Sequence, residues 1–170
     1  IEKISVIGTG TMGSGIVQAF AQAGRKVTMK SRSEASNAKA MAKITKSLSK
    51  LVEKGKMDQA AMDATLANST LTTEDKDIAD SDLIIEEAVE EMHMQIELFK
   101  ELDALCKKET IIATNTSSLS ITGIAANISR PCHVIGMHFF NPATVMKLVE
   151  IIKGQRTSQE VFDAVCALCQ

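Results

Sequence analysis

The order of apolar runs and amphipathic stretches along the chain predicts an α/β protein. Short, mostly apolar runs of the kind that parallel sheets bury lie at residues 4–7, 83–85, 110–114, 134–137 and 148–152. Between two of them, residues 92–107 carry apolar side chains at the spacing of one helix face. Strands that alternate with helices in this way predict a doubly wound, mostly parallel sheet with helices on both faces.

The segment between residues 34 and 68 carries no strand pattern and predicts a helical hairpin. It follows a second strand at residues 26–30 and precedes a weak third strand near residues 71–73. Its first half has apolar residues at helical spacing until Gly55 interrupts them, and Asp58 is a suitable N-cap for a second helix. The hairpin is therefore predicted to be an insertion after the second strand.

A glycine-rich turn stands directly after the first predicted strand. Gly8-Thr9-Gly10-Thr11-Met12-Gly13 has the G-x-G-x-x-G spacing and leads into an apolar helical stretch. In this context the first glycine permits the tight turn, the second lets the backbone approach a pyrophosphate, and the third lets the helix pack closely on the strand. The helix N-terminus favours the anion. We therefore predict a Rossmann-type fold in which a dinucleotide binds at Gly8, Gly10, Thr11, Met12 and Gly13.

The end of the second predicted strand indicates which dinucleotide binds. An NAD site places an acidic residue about 20 residues past the glycines, to accept from the ribose hydroxyls. This chain has Lys30, Ser31 and Arg32 there instead, with no carboxylate before Glu34. A small hydroxyl beside a guanidinium favours a 2′-phosphate, so we predict NADP(H) over NAD(H), with Ser31 and Arg32 as its ligands. The alternative is NAD, with Lys30 and Arg32 as solvated loop charges.

Length and charge narrow the class of protein. The chain has 170 residues, a formal net charge of −2 and a pI near 6.0, which fit a single domain over residues 1–170 and argue against a nucleic-acid-binding surface. It has no apolar run of the roughly 18 residues that a membrane span needs and no leader pattern, so we expect no membrane partner and a cytoplasmic location. Reduced core thiols, and no metal site, are expected for Cys106, Cys132, Cys166 and Cys169.

Polar residues at the ends of the later strands are candidates for chemistry. Residues 115–118 follow one apolar strand, His138 follows the next, and Glu150 interrupts an otherwise apolar run. A carboxylate in such a run is unfavourable to bury without a partner, and His138 is the nearest candidate. A His–carboxylate pair would orient the imidazole and stabilise its charged form. The alternative is a histidine bound to a carbonyl and a solvated Glu150.

A lysine stripe follows one face of the first hairpin helix. It consists of Lys39, Lys43, Lys46, Lys50 and Lys54, spaced by four, three, four and four residues. Such a face suits a polyanionic ligand, for example the phosphate end of coenzyme A. The alternative is an ordinary solvated helix face.

Three motifs follow one another along the chain, at residues 7–15 (IGTGTMGSG), 114–119 (TNTSSL) and 136–142 (GMHFFNP), and residues 145–150 (VMKLVE) continue the last. Together they resemble the motifs of the 3-hydroxyacyl-CoA dehydrogenase family and, within it, those of the bacterial 3-hydroxybutyryl-CoA dehydrogenases. The resemblance covers essentially the whole chain. It implies an oxidoreductase of fatty acid metabolism that transfers a hydride between a nicotinamide cofactor and the 3-hydroxy or 3-oxo group of a short-chain acyl-CoA.

The resemblance also implies roles for particular residues. His138 would be the general base that takes the hydroxyl proton, Glu150 its carboxylate partner, and Ser117 a hydrogen-bonding partner of the substrate oxygen. On the cofactor side the resemblance implies contacts from Glu90, Asn115 and Asn141. On the coenzyme A side it implies contacts from Ser47 and Lys54, and we add Lys50 because it lies on the same lysine stripe.

The chain departs from the family pattern at informative places. The aspartate that selects NAD in the family is Ser31 here, and the apolar residue after it is Arg32. Gln95 stands where the family often has lysine, and Glu91 where it has asparagine. The resemblance also implies a helical second domain that closes the cleft and provides most of the dimer contact, and we expect that domain to lie outside these 170 residues. We therefore expect weak or no turnover from these residues alone, and a homodimer only with that domain.

Two other functions stay open from the sequence. One is a non-catalytic dinucleotide-binding module left by truncation. The other is a hydroxyacid dehydrogenase that acts on free acids with a catalytic lysine, for which Lys147, close to His138 and Glu150 in the sequence, is a poor candidate.

Overall fold

The computed structural model of the protein describes residues 2–8, 11–31, 33–86, 92–114, 118–139 and 149–168. Seven strands form one sheet in the order β3-β2-β1-β4-β5-β6-β7. The strands are β1 (Lys3–Ile7), β2 (Lys26–Lys30), β3 (Ser69–Thr72), β4 (Leu83–Glu86), β5 (Ile111–Thr114), β6 (Val134–Phe139) and β7 (Val149–Lys153). All neighbouring pairs are parallel except β6–β7, which is antiparallel. The predicted Rossmann-type sheet is confirmed.

Six α-helices connect or follow these strands within the described ranges. They are α1 (Thr11–Gln22), α2 (Glu34–Glu53), α3 (Gln59–Ala67), α4 (Met92–Leu105), α5 (Ser118–Ala125) and α6 (Gln159–Leu168). The alternating side chains of the buried strands divide the core between the two faces of the sheet. Helices α1, α2, α3 and α6 pack on one face, and α4 and α5 on the other. This division is the doubly wound arrangement.

The predicted helical hairpin is α2 and α3, inserted between β2 and β3. Gly55 has φ of +70°, a conformation that ends α2, and the Asp58 carboxylate accepts a hydrogen bond of 2.7 Å from the Ala61 amide at the start of α3. The Asp58 N-cap is thus confirmed. The third strand begins earlier than predicted, because its parallel pairing with β2 starts at Ser69 opposite Val27.

The sequence pattern did not predict α5. Its stretch SLSITGIA contains β-branched residues and a glycine, which favour a helix only weakly. Ile121 and Ile124 are fully buried against the sheet. Helix α5 therefore forms because tertiary packing stabilises it.

A buried arginine ties α4 to the segment that precedes β6. Arg130 is 7% exposed, and its Nε lies 2.8 Å from Oδ1 of Asp103. Its guanidinium also donates to the carbonyl oxygens of Asp103, Cys106, Lys107 and Thr110. A single cation thus satisfies carbonyls at the C-terminal end of α4, where the helix dipole favours positive charge.

Candidate functional site

The carboxyl ends of β1, β2, β4, β5 and β6 lie along one edge of the sheet, because these strands are parallel. The strand order reverses at β1, which pairs with β2 on one side and with β4 on the other. In sheets of this kind ligands bind outside the carboxyl ends at such a reversal. Gly8 and Ser31 directly follow β1 and β2 at this edge, His138 lies near the end of β6, and Glu150 lies near the start of the antiparallel β7.

Close packing of α1 on the end of β1 explains two of the motif glycines. Gly8 has φ of +123°, and its amide donates to the Lys30 carbonyl at 3.1 Å. A Cβ on Gly13 would overlap the Gly8 carbonyl oxygen and lie 2.9 Å from its carbon. A side chain is therefore excluded at position 13, where α1 packs on the end of β1, as a pyrophosphate-binding turn requires.

Gly13→Ala is expected to weaken cofactor binding at least about tenfold, because the clash with backbone must push α1 away from β1. Gly24→Ala is the matched control. Gly24, unlike Gly13, has a positive φ of +86°, and its Cβ would meet nothing within 4 Å. The control should lower the free energy of unfolding by about 1–2 kcal/mol and leave cofactor affinity unchanged. Fluorescence titration with NADPH measures both variants, and equal affinities would contradict the packing role of Gly13.

Ser31 follows β2 and is buried in a network that sequence reasoning missed. Its Oγ lies 2.8 Å from both the Ser33 carbonyl oxygen and Oδ1 of Asn37. The Asn37 side chain, 7% exposed, donates through Nδ2 to the Thr72 carbonyl at 3.1 Å. The sequence does contain one indication of this network: Asn37 is a polar residue at the helical spacing of the buried residues Ala40, Ile44 and Leu48 of α2.

Lys30 does not stand free at the end of β2. Its Nζ lies 2.6 Å from Oδ1 of Asp75, so this ammonium is already in an ion pair. Arg32, the other basic residue at this point of the chain, lies outside the described residues.

A second buried polar group closes the end of β4. Glu86 is 1% exposed, and its Oε2 lies 3.2 Å from Oγ1 of Thr114 and 3.4 Å from Nε2 of Gln95. The carboxylate therefore joins the ends of β4 and β5 to helix α4. Sequence reasoning noted Gln95 only as a departure and did not single out Glu86.

The antiparallel pairing of β6 and β7 brings His138 and Glu150 together. They are directly opposite each other in the register, so their side chains project from the same face, with Cβ atoms about 4.5–5.5 Å apart for such a pair. His138 is half-buried and Glu150 is exposed on the edge strand. Both side chains are on the α5 side of the sheet, because Gly136 and Ile152, two residues away along the strands, contact or face Ile121 of α5.

Helix α5 is seated on two glycines beside this pair. A Cβ on Gly136 would lie 2.5 Å from Cδ1 of Ile121, and one on Gly154 would lie 2.7 Å from its Cγ2. The first turn of α5 follows residues 115–117, which contain the predicted Ser117. Gly136 and Gly154 thus set how closely α5 approaches the strand that carries His138.

We expect Gly136→Ala to lower the free energy of unfolding by about 1–3 kcal/mol, the usual effect of overpacking. Ile121→Val removes Cδ1 and should restore part of that loss in the double variant, because the new Cβ would also lie 3.0 Å from Cβ of Ile152. The same valine keeps Cγ2, so it should not rescue Gly154→Ala. Urea denaturation of the two pairs measures the difference, and equal rescue of both glycine variants would show that the contacts are not as described.

The predicted coenzyme A surface lies on α2. Lys39, Lys43, Lys46, Lys50 and Lys54 are exposed, and within the described part of the chain none of them forms an ion pair. Ser47 is half-buried, and its Oγ accepts a hydrogen bond of 3.0 Å from Nε2 of Gln18 on α1. The stripe is therefore a continuous positive face on the hairpin.

A comparison with known protein families shows to which family the chain belongs. A family described as "3-hydroxyacyl-CoA dehydrogenase, NAD binding domain" matches residues 3–170. The chain belongs to the 3-hydroxyacyl-CoA dehydrogenase family. A 3-hydroxybutyryl-CoA dehydrogenase from Clostridioides difficile is 54% identical over 166 residues, which are 98% of this chain and 59% of the relative.

Solved structures of 3-hydroxyacyl-CoA dehydrogenases share this fold closely. The (S)-3-hydroxybutyryl-CoA dehydrogenase of Ralstonia eutropha has a TM-score of 0.95 and 41% identity, over 99% of this chain and 60% of that one. The 3-hydroxybutyryl-CoA dehydrogenase of Escherichia coli K12 has a TM-score of 0.96 and 40% identity, over 99% of this chain and 36% of that one. The chain thus spans less than two thirds of the length of these relatives.

Several residues predicted for this 3-hydroxyacyl-CoA dehydrogenase domain stay predictions. Those outside the described residues are Gly10, Arg32, Glu90, Asn115, Ser117 and Asn141. Thr11 and Met12 are placed in the first turn of α1. No helix in the described ranges is long and apolar enough to cross a membrane. The same ranges hold no cluster of three or more His, Cys, Asp or Glu side chains suited to a metal ion.

Proposed function

We propose that the protein is an NADP(H)-preferring dehydrogenase that acts on the 3-hydroxy or 3-oxo group of short-chain acyl-CoA thioesters. The observation that carries this proposal is the register that sets His138 opposite Glu150, at the sheet edge where the glycine turn also lies. Relatives named 3-hydroxybutyryl-CoA dehydrogenases support the substrate class.

The proposed chemistry needs one proton transfer from this chain. In oxidation the imidazole of His138 accepts the proton of the substrate hydroxyl, and in reduction the imidazolium returns it to the nascent alkoxide. The Glu150 carboxylate, opposite the ring, stabilises the imidazolium and fixes its orientation. The nicotinamide cofactor, when bound, supplies or accepts the hydride. Ser117 is proposed to hydrogen-bond the substrate oxygen.

The residues at the end of β1 fit a dinucleotide. The contact between Gly8 and Gly13 leaves no room for a Cβ, as a pyrophosphate cradle requires, and the first turn of α1 carries no acidic side chain. Gly10, Thr11 and Met12 complete the proposed cradle. Asn115 and Asn141 are proposed to lie near the nicotinamide and the substrate, and Glu90 near the cofactor.

The preference for NADP(H) rests on the group after β2. Position 31 holds a neutral hydroxyl, so no carboxylate repels a 2′-phosphate there. Because Lys30 is paired with Asp75, Arg32 is proposed as the cationic ligand of that phosphate. The free thiols of Cys106, Cys132 and Cys166 support a reducing, cytoplasmic location.

A cofactor titration tests the proposed preference. NADPH and NADH are titrated by cofactor fluorescence at low and moderate salt, and NADPH should bind at least about tenfold more tightly, with the stronger salt dependence. Equal or NADH-favoured binding would overturn the preference and leave the dehydrogenase family intact. Binding of neither cofactor would overturn the proposed cradle.

The lysine stripe gives a second test, of the coenzyme A surface. Substituting Lys50 and Lys54 by glutamine should weaken acetoacetyl-CoA binding about threefold or more. The affinity of the variant should also depend less on salt concentration. The variant with Lys39 and Lys43 changed to glutamine has the same net charge and serves as control. Isothermal titration measures the affinity of both variants for acetoacetyl-CoA. An equal loss of affinity in both would mean that the stripe attracts anions only in general and forms no local coenzyme A site.

The substrate class has its own test. Turnover of free 3-hydroxybutyrate equal to that of its coenzyme A thioester would argue for a free-acid dehydrogenase.

A further inference from the structure

We propose that Asn37, buried beneath the end of β2, determines the choice between NADP(H) and NAD(H). Its side chain favours a hydrogen-bond donor at position 31 and disfavours a carboxylate there. This inference rests on the proposed NADP(H) preference and names a residue that supports it from outside the phosphate site. Asn37 is a positioning residue, since it acts through Ser31.

The orientation of the Asn37 amide is fixed by its neighbour on β3. Nδ2 donates to the Thr72 carbonyl at 3.1 Å, and the same carbonyl accepts the Ser31 amide at 3.1 Å. Rotating the amide by half a turn would place Oδ1 against that carbonyl, and two acceptors would then face each other. Oδ1 of Asn37 therefore points at position 31.

Position 31 consequently faces two acceptors. Ser31 Oγ lies 2.8 Å from Oδ1 of Asn37 and 2.8 Å from the carbonyl oxygen of Ser33. A hydroxyl group suits this setting because its proton can be donated to either oxygen. An ionised carboxylate has no proton to donate to these two oxygens, and position 31 is largely buried, since Ser31 is 9% exposed.

This arrangement disfavours the residue that an NAD site requires. A ribose-binding aspartate at position 31 would have to leave the network or reorganise Asn37 and Thr72. Asn37 thus supports NADP(H) binding indirectly, because it makes the competing acidic residue unfavourable. The selection depends on a side chain that is buried on α2 and belongs to no loop of the cofactor site.

An exchange of the two side chains tests the proposal. Ser31→Asp combined with Asn37→Ser keeps the combined length of the pair and replaces the fixed acceptor by a hydroxyl that can donate to the new carboxylate. Ser31→Asp alone leaves the carboxylate against Oδ1 of Asn37. Ser31→Asn has the shape of aspartate without its charge, and its amide can donate to Asn37. It is the matched control for size.

The affinities for NADH and NADPH and the melting temperature are measured for five proteins. They are the parent, Ser31→Asp, Asn37→Ser, the double variant that combines these two substitutions, and the control Ser31→Asn. Ser31→Asp should weaken NADPH binding about tenfold or more but improve NADH binding less than about threefold, whereas the double variant should bind NADH at least about tenfold more tightly than Ser31→Asp. Ser31→Asp should also melt below both Ser31→Asn and the double variant. The non-additivity on NADH affinity is a readout that general destabilisation does not produce.

The outcomes separate this proposal from the preference on which it rests. If Ser31→Asp alone binds NADH as tightly as the double variant, Asn37 has no selective role. If the parent binds both cofactors equally, the NADP(H) preference fails, and the coupling between positions 31 and 37 still decides the role of Asn37. Should Ser31→Asp not fold, a folded double variant and a folded Ser31→Asn support the proposal, and a double variant that also fails to fold overturns it.

Discussion

Replacing His138 by alanine in the complete polypeptide is expected to lower kcat for acetoacetyl-CoA reduction by about 10²–10⁴-fold, the range that general acid–base catalysis supplies. His138 and Glu150 are opposite each other at the carboxyl edge of the sheet. Removing the imidazole leaves the alkoxide to take its proton from water. NADPH affinity should stay within about twofold, because the substitution is neither at the glycine turn nor at position 31.

The controls for this experiment are present in the chain. His133, in the turn before β6, is a half-buried histidine away from the carboxyl edge, and His133→Ala should leave kcat unchanged. Glu150→Gln should have an intermediate effect, with a changed pH profile of kcat, because the neutral amide no longer stabilises the imidazolium. Turnover by His138→Ala within about tenfold of the parent would mean that another group transfers the proton.

Replacing Arg130 by alanine is expected to lower the free energy of unfolding by about 3–5 kcal/mol, as when one partner of a buried ion pair is removed. The variant would leave the Asp103 carboxylate without its cation and several carbonyls at the end of α4 without a donor. Arg130→Lys should recover only part of this loss, since an ammonium cannot reach the same set of acceptors.

Urea denaturation at neutral pH measures the effect, and Arg156→Ala, at an exposed arginine, is the control. Burial tends to raise the pKa of Asp103, but hydrogen bonds from Ser129 and Arg130 outweigh burial and hold the pKa below its usual value. The stabilisation by Asp103 is therefore full above about pH 4, its unfolded value, and is lost as the pH falls through the folded value. A parent–variant difference that stays constant into acid would contradict the ion pair.

The sequence predicted the order of strands and helices because that order is written in local patterns. Continuous apolar runs marked the buried strands, and Asp58 marked the start of α3 through a local side chain–backbone bond. The three ordered motifs likewise predicted the 3-hydroxyacyl-CoA dehydrogenase family, and the match of residues 3–170 to that family confirmed the prediction. These signals need no knowledge of distant residues.

The elements that were missed depend on contacts between distant parts of the chain. Helix α5 has weak helix formers and is stabilised by Ile121 packing on Gly136 and Gly154. The partners of Asn37 are at positions 31 and 72, and Arg130 reaches back to Asp103. For Glu150, the sequence suggested the partner, but whether the carboxylate is exposed depends on β7 being an edge strand. Such features follow from strand order, which local patterns do not fix.

The position of β7 at the edge of the described sheet has a consequence for heat inactivation. Among the strands of that sheet, only β6 pairs with β7 and sets Glu150 opposite His138. Edge strands open locally at a smaller free energy than the strands at the centre of a sheet. Fraying of β7 would separate the carboxylate from the imidazole while β1, β4 and β5 are still paired. Loss of function on warming would then precede the loss of the fold.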